Sequence, residues 1–312
     1  MINFNNINNI ICNDKKNIAS IINKKNIDNN ELYDIFGDNL QYIKSGSTGH
    51  TFKGSYKILK DDNYIETNFA VKIVPYVKKE IYGDEYSSTR PENSEILILK
   101  NLSFFVINNI TPHIILPITT FYTKVDFLKK ILKKEDNEKC KNNLKELKNK
   151  NYYDNISILV SEWANGGDLL DYLRKNYKTF KVRHWRAIFF QILSVIAIIQ
   201  NKYPGFRHND LKANNLLINL MDMSKKKYKY IINGQIYIVP NIGFQIKLWD
   251  FDFACIGDVI ENDKVNSKWA NDMNINNNKN KYYDIHFFFN TLTRKGFLPD
   301  FFENKNISNV VK

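Results

Sequence analysis

The sequence predicts an α+β chain of two lobes: a small antiparallel β-sheet lobe carrying one helix, then a larger, mainly helical lobe. Three observations predict it. Short β-type runs crowd into residues 39–75, a helix-start pattern follows at Pro91, and the second half centres on the nearly all-apolar run Ile188–Ile199. At about 150 residues per domain, 312 residues suit two units with real cores. A hydrophobic share of 43% with 14% aromatic residues excludes wholesale disorder.

Residues 1–36 are rich in Asn, Lys and Ile with weak periodicity and read as an N-terminal extension with one short helix. The small lobe then runs over 37–163. Its runs Leu40–Ile43, Thr51–Leu59 and Asn68–Pro75 are separated by a Gly-containing turn and by polar Lys60–Asn63, which predicts an antiparallel meander. Pro91 suits a first helical position, and Ile96, Leu99 and Leu102 at three-residue spacing give that helix an apolar face. Ile114–Phe121 and Ile156–Trp163 read as strands. Between them, about 124–151, lies a Lys-rich insertion whose leucines at 128, 132, 144 and 147 suit a solvated amphipathic hairpin or helix.

The large lobe covers 164–312. It begins with a helix over Asp168–Lys175 and a core helix from about Arg183 to Asn201. Apolar Leu216–Ile218 follows, then an insertion at about 219–243 with an Asn233-Gly234 hairpin signal, and the strand Phe244–Trp249.

Cys12, Cys140 and Cys255 lie far apart without a CxxC or Cys/His cluster, which argues against a disulfide framework or zinc module and for a reducing, cytoplasmic setting. The longest apolar run is too short to span a bilayer, and MINFNNINNI lacks a basic region followed by an apolar one, so neither a membrane span nor secretion is expected. The net charge of +12 fits solubility; lysines do not interleave regularly with aromatics, so no specific nucleic-acid partner is expected. Heavy use of Asn, Ile and Lys is that of an AT-rich coding sequence.

The sharpest signal is RHNDLKANNLLI at Arg207–Ile218, followed by IKLWDFDFA at Ile246–Ala254. Phosphoryl transfer needs a carboxylate to orient and deprotonate the attacking hydroxyl, and oxygen ligands to hold magnesium against nucleotide phosphates. Asp210 fits the base, Asn215 and Asp250 the metal ligands, and the spacing HxDxKxxN is the one seen in protein kinases. On these residues the chain resembles eukaryotic-type serine/threonine protein kinases, in a divergent form similar to those encoded by large DNA viruses.

The resemblance implies roles for further residues. KSGSTGHTF at Lys44–Phe52 matches the nucleotide loop through Gly46, Ser47, Thr48 and Gly49, with Lys44 in place of the first glycine. FAVKIV at Phe69–Val74 makes Lys72 the phosphate-binding lysine, and SEILILKNL at Ser94–Leu102 makes Glu95 its partner, with Glu92 a second choice. ISILVSEWANGGDLLDYL matches the strand and hinge that cradle adenine. Ser161 then guards the back of the pocket, backbone groups of Glu162 and Ala164 meet the adenine edge, and Asp168 caps the next helix or contacts ribose. Lys212, beside Asp210, is typical of Ser/Thr-directed relatives. ATP and Mg2+ are the implied cofactors, and a protein of unknown identity the implied substrate of a monomeric enzyme.

The chain also departs from that pattern. Asn209 replaces the arginine that pairs with an activation-segment phosphate, and Ser267 is the only Ser or Thr between Asp252 and Asp284. Activity independent of phosphorylation there is expected, the alternative being that a lysine such as Lys264 or Lys268 folds back as a substitute cation. Asp252 replaces a glycine and reads as an auxiliary acid beside the metal site or, the favoured reading, as a solvated substitute; no APE-like string precedes YYDIHFFFNTL, whose Asp284 resembles the aspartate opening a central helix, and against the family pattern the large lobe is expected to have a shortened C-terminal end. HND with DFD also resembles choline-kinase-like and aminoglycoside-phosphotransferase-like enzymes. The altered loop leaves open a pseudokinase scaffold that binds nucleotide without transfer.

Overall fold

The computed structural model describes residues 39–294 apart from 47, 48, 61, 62, 149 and 150, together with 28, 32, 36 and 298. The chain divides into two units, Met1–Ile96 with Leu116–Trp163, and Leu97–Ile115 with Ala164–Lys312.

The first unit is built on a five-stranded antiparallel sheet of order β1-β2-β3-β5-β4: β1 Leu40–Ser45, β2 His50–Lys60, β3 Asn63–Val77, β4 Pro117–Lys124 and β5 Tyr152–Glu162. The strands expected at 51–59 and 68–75 are longer, pairing from His50↔Ile73 to Lys60↔Asn63. The alternation of a strand puts Phe69, Val71 and Ile73 of β3 on one face and Ala70, Lys72 and Val74 on the other. All six are buried, as befits a central strand. Helix α1, Pro91–Ile107, starts at the proline its sequence suggests and runs five residues beyond Leu102.

The expected strand Ile114–Phe121 is split. Pro117 has no N–H to give a ladder, and the strand starts there, while Ile114 only bridges to Leu248 in the second unit's own structure. The Lys-rich insertion forms two helices, α2 Val125–Lys134 and α3 Glu138–Glu146, the latter capped by Asn137, which accepts from Cys140 N at 2.8 Å. Phe127, Leu128, Ile131, Leu132 and Cys140 join Phe52, Val71, Ile73 and Phe121 in one core, so the charged residues are the outer face of a packed pair. Of the expected 1–36 extension only Asp28, Leu32 and Phe36 are described. Phe36 stacks on Phe121 at 6.1 Å, within the same core.

The second unit is organised by α4 Leu169–Asn176 and α5 Val182–Lys202. At 21 residues α5 is long and apolar enough to cross a bilayer, but it packs Trp185, Ile188, Ile192, Val195 and Ile199 into the unit's interior. The unit also holds three two-stranded ladders: β6 Phe206–Arg207 with β11 Cys255–Ile256, β7 Leu216–Leu220 with β10 Phe244–Leu248, and the hairpin of β8 Lys227–Ile232 and β9 Gln235–Pro240, turning at Asn233-Gly234. Short α6, Lys268–Asp272, and α7, Tyr283–Thr293, follow.

His113 is fully buried between this hairpin and β10. Its Nδ1 meets Ile246 O at 2.7 Å, and a carbonyl can only accept, so Nε2 is left to accept from the Tyr230 hydroxyl at 3.0 Å. Burial pushes its pKa down to about 3, and burial likewise pushes His50 to about 4. The unfolded chain therefore takes up protons that these sites refuse. Stability is expected to fall as pH drops from the ordinary histidine value of 6.5 towards 4. Urea midpoints at pH 7 and pH 5 test this, and equal midpoints would show that both imidazoles titrate normally.

Candidate active site

In the first unit Lys72 and Glu95 form a buried ion pair, Nζ lying 2.6 and 2.8 Å from the two carboxylate oxygens. Lys72 reaches it because period two turns its side chain away from Val71 and Ile73. Glu95 reaches it because Arg90 fixes the start of α1. That guanidinium, 0% exposed, donates to Val77 O at 2.7 Å and Gly83 O at 3.1 Å and lies 5.2 Å from the Tyr76 ring. Arg90 also pairs with Glu92 at 3.2 Å, which takes Glu92 out of competition for Lys72. Arg90 belongs to no motif, and its place just ahead of Pro91 is the one local signal of this role.

The loop between β1 and β2 is closed by Gly46 N donating to Gly49 O at 2.8 Å. A Cβ on Gly49 would stand 2.8 Å from Val74 Cγ2 and 3.0 Å from Ile73 O, so the chain needs glycine there for space. Ser47 and Thr48 lie outside the described residues. At the end of β5, Ser161 is buried with its hydroxyl unpartnered among the described residues. Glu162 gives its N–H to Leu116 O and takes the Leu116 N–H on Oε1, both at 2.9 Å.

In the second unit three of the expected residues converge. Lys212 Nζ lies 2.7 Å and Asn215 Nδ2 2.8 Å from the same oxygen of Asp210, Oδ2, and Asn215 also donates to Asp210 O at 2.9 Å. Both donors crowd one oxygen, and Oδ1 has no hydrogen-bond partner among the described residues. Trp249 follows the end of β10, donating its N–H to Asn215 O at 3.2 Å and accepting from His208 Nε2 at 3.0 Å on its carbonyl, and Asp250 comes next. Asn209 and Asp250 both hold left-handed backbone, φ 62° and 61°, which Asn and Asp tolerate better than most residues. Ala164 is buried, and Asp168 caps α4 by accepting from Asp171 N at 2.9 Å.

The loop's backbone is held from α7. Asp284, 0% exposed, accepts from His208 N at 2.8 Å and Asn209 N at 2.9 Å. Burial pushes its carboxyl above the usual range, opposed by nearby His208, these two bonds and Arg207. Asn209 spends its amide on Phe253 O at 3.0 Å and Asn276 O at 3.1 Å. Arg207, also not singled out from sequence, donates to Asn274 O at 3.0 Å and Asn278 O at 3.3 Å and stacks 3.7 Å over the Tyr283 ring. Ser267 is engaged as the cap of α6, accepting from Ala270 N at 3.2 Å.

One expectation is corrected. Asp252 is not solvated: it is 5% exposed, and Lys264, which lies 3.8 Å over the Phe253 ring, folds back to pair with its Oδ2. A buried carboxylate needs such a cation, and this one comes from twelve residues downstream, beyond the reach of local pattern. Lys264→Ala is expected to destabilise the protein by about 3 kcal/mol, because it strips the cation from a buried acid. Asp252→Asn is expected to cost less. Urea denaturation measures both, and a Lys264→Ala shift no larger than that of an exposed lysine would contradict the pairing.

The sequence profile described as "Poxvirus serine/threonine protein kinase" matches residues 87–311. A putative serine/threonine-protein kinase of Acanthamoeba polyphaga mimivirus is 46% identical over 292 residues, 90% of this chain and 61% of that protein. Serine/threonine-protein kinase 2 of Swinepox virus is 35% identical over 120 residues, 36% of this chain and 24% of its own. A probable serine/threonine-protein kinase of Dictyostelium discoideum is 32% identical over 103 residues, 31% of this chain and 8% of its own. The chain thus spans about three fifths of the mimivirus relative and a smaller part of the others.

Proposed function

The chain belongs to the poxvirus serine/threonine protein kinase family, and from that premise we propose that it transfers the γ-phosphoryl group of ATP to a Ser or Thr hydroxyl of a protein, with magnesium. The observation that carries this reading is Asp210 with Lys212 and Asn215 gathered on its Oδ2. A base must be oriented before it can act, and the two donors fix the carboxylate while Oδ1 is left to receive the proton of the attacking hydroxyl. In this reading the two units correspond to the small and large lobes of the kinase fold.

The remaining residues suit the group they would hold. The Lys72 ammonium, aimed by Glu95, binds α- and β-phosphate oxygens. Asn215 and Asp250 offer hard oxygen donors of the kind magnesium prefers. No three His, Cys, Asp or Glu cluster as a metal cage among the described residues, and a magnesium completed by phosphates and water needs none. The buried Ser161 hydroxyl, unpartnered among the described residues, is a polar atom at the back of the expected adenine pocket, and the carbonyl of Glu162 would serve the base, its N–H being given to Leu116. When bound, the metal and nucleotide supply charge neutralisation and the transferable phosphoryl group.

The test offers purified protein γ-labelled ATP and magnesium with basic and acidic protein substrates beside choline and aminoglycosides. Label on Ser or Thr, lost when magnesium is chelated, is expected. Label on Tyr alone, on a small alcohol alone, or nowhere would overturn the reading.

A further inference from the structure

The nucleotide loop leaves the sheet at Ser45 and returns at His50, and these two residues are paired across β1 and β2. β1 is the edge strand of the sheet, so β2 alone gives it ladder hydrogen bonds. An edge position gives the strand that enters the loop backbone ties on one side only. The neck of this loop is nevertheless tied from outside the sheet. Ser45 Oγ lies 2.7 Å from His50 Nδ1 and 2.7 Å from the Tyr42 hydroxyl. Lys139 Nζ donates to Ser45 O at 2.6 Å, and Asn143 Nδ2 donates to Ser45 Oγ at 3.1 Å.

Lys139 and Asn143 stand four residues apart on one face of α3, with Cys140 of the same helix buried in the core beside them. The helix belongs to the Lys-rich segment inserted between β4 and β5, at the other edge of the sheet. The insertion thus crosses a sheet face, packs into its core and ends on the neck of the loop. Solubility explains the outer lysines of the segment; it does not explain an ammonium and an amide spent on one serine ninety-odd residues away.

We propose that α3 is a buttress for the nucleotide loop, Lys139 and Asn143 acting as positioning residues that hold its neck in the form that receives nucleotide phosphates. Ordering a loop on binding costs conformational entropy, and ties made before the ligand arrives remove part of that cost. The inference rests on the phosphotransferase reading for its ligand. It adds that affinity for the phosphates, rather than for the base, is set in part by a helix remote in sequence.

The experiment uses the full chain and compares ATP with adenosine by titration calorimetry, alongside amide exchange at Ser45, Gly46 and His50. Lys139→Met and Asn143→Ala are each expected to weaken ATP binding about five- to tenfold, the scale of one or two hydrogen bonds. Adenosine affinity should be unchanged, neck amides should exchange faster, and Lys139→Arg should restore both. Equal losses for ATP and adenosine would mark a general structural defect and overturn the inference, as would unchanged ATP affinity in both variants. Wild-type protein that binds neither ligand would sink the phosphotransferase reading and this inference with it; wild-type binding with unaltered variants sinks the inference alone.

Discussion

Asp210→Asn is expected to lower the rate of phosphoryl transfer by about two or more orders of magnitude while leaving ATP affinity nearly intact. The amide keeps the shape of the carboxylate and one oxygen, but it cannot take up a proton at neutral pH. The proposed base acts in the transition state, so the loss should fall on kcat rather than on nucleotide binding. Asn215 Nδ2 and Lys212 Nζ both donate to Oδ2, so the variant is expected to keep its oxygen there and place its NH2 at the Oδ1 position, facing the incoming hydroxyl. Single-turnover assays with calorimetric ATP titration measure both quantities. Transfer at the wild-type rate would remove Asp210 from the mechanism.

Asp284→Ala is expected to be the most damaging change outside the proposed reacting groups, at about 3 kcal/mol or more of stability. The carboxylate is fully buried and serves two backbone N–H groups, of His208 and Asn209. Its removal leaves both donors without an acceptor in a place closed to water, each costing about 1–3 kcal/mol. Asp284→Asn should cost less, since one oxygen can still accept. Because the two donors immediately precede Asp210, any folded Asp284→Ala protein should also lose kcat. Urea denaturation and the transfer assay together test this, and a shift below about 1 kcal/mol would show that the loop is held by other means.

The parts of this molecule legible in sequence are those set by local rules. The proline at α1, the alternation of β3, the Asn233-Gly234 turn and the apolar centre of α5 each write their structure within a few residues. The grouping of Asp210, Lys212 and Asn215 was legible for the same reason, all three lying on one six-residue loop. What stayed hidden are pairings whose members have no periodic relation. His113 finds Ile246 across 133 residues, Lys139 finds Ser45 across 94, and Asp252 takes its cation from Lys264. In each case the local pattern around the lysine or histidine does not name the group it meets. Only the fold shows that the atom opposite is buried.

The division into units also bears on how the chain reaches its native state. Neither unit is a continuous stretch: the first is interrupted by Leu97–Ile115, and the second begins with that same segment. During synthesis β1, β2 and β3 can zip together as they emerge, but β5 joins β3 only once residue 162 has been made. Residues 113–115 wait longer still, since their backbone partner Leu248 lies in a strand made more than a hundred residues later. A nascent chain stopped after Trp163 would therefore hold a finished sheet together with an apolar segment, Ile114 and Ile115, whose docking strand does not yet exist. That interval is the one in which a chaperone would have most to protect, and cutting the gene at the unit boundary would make the exposure permanent.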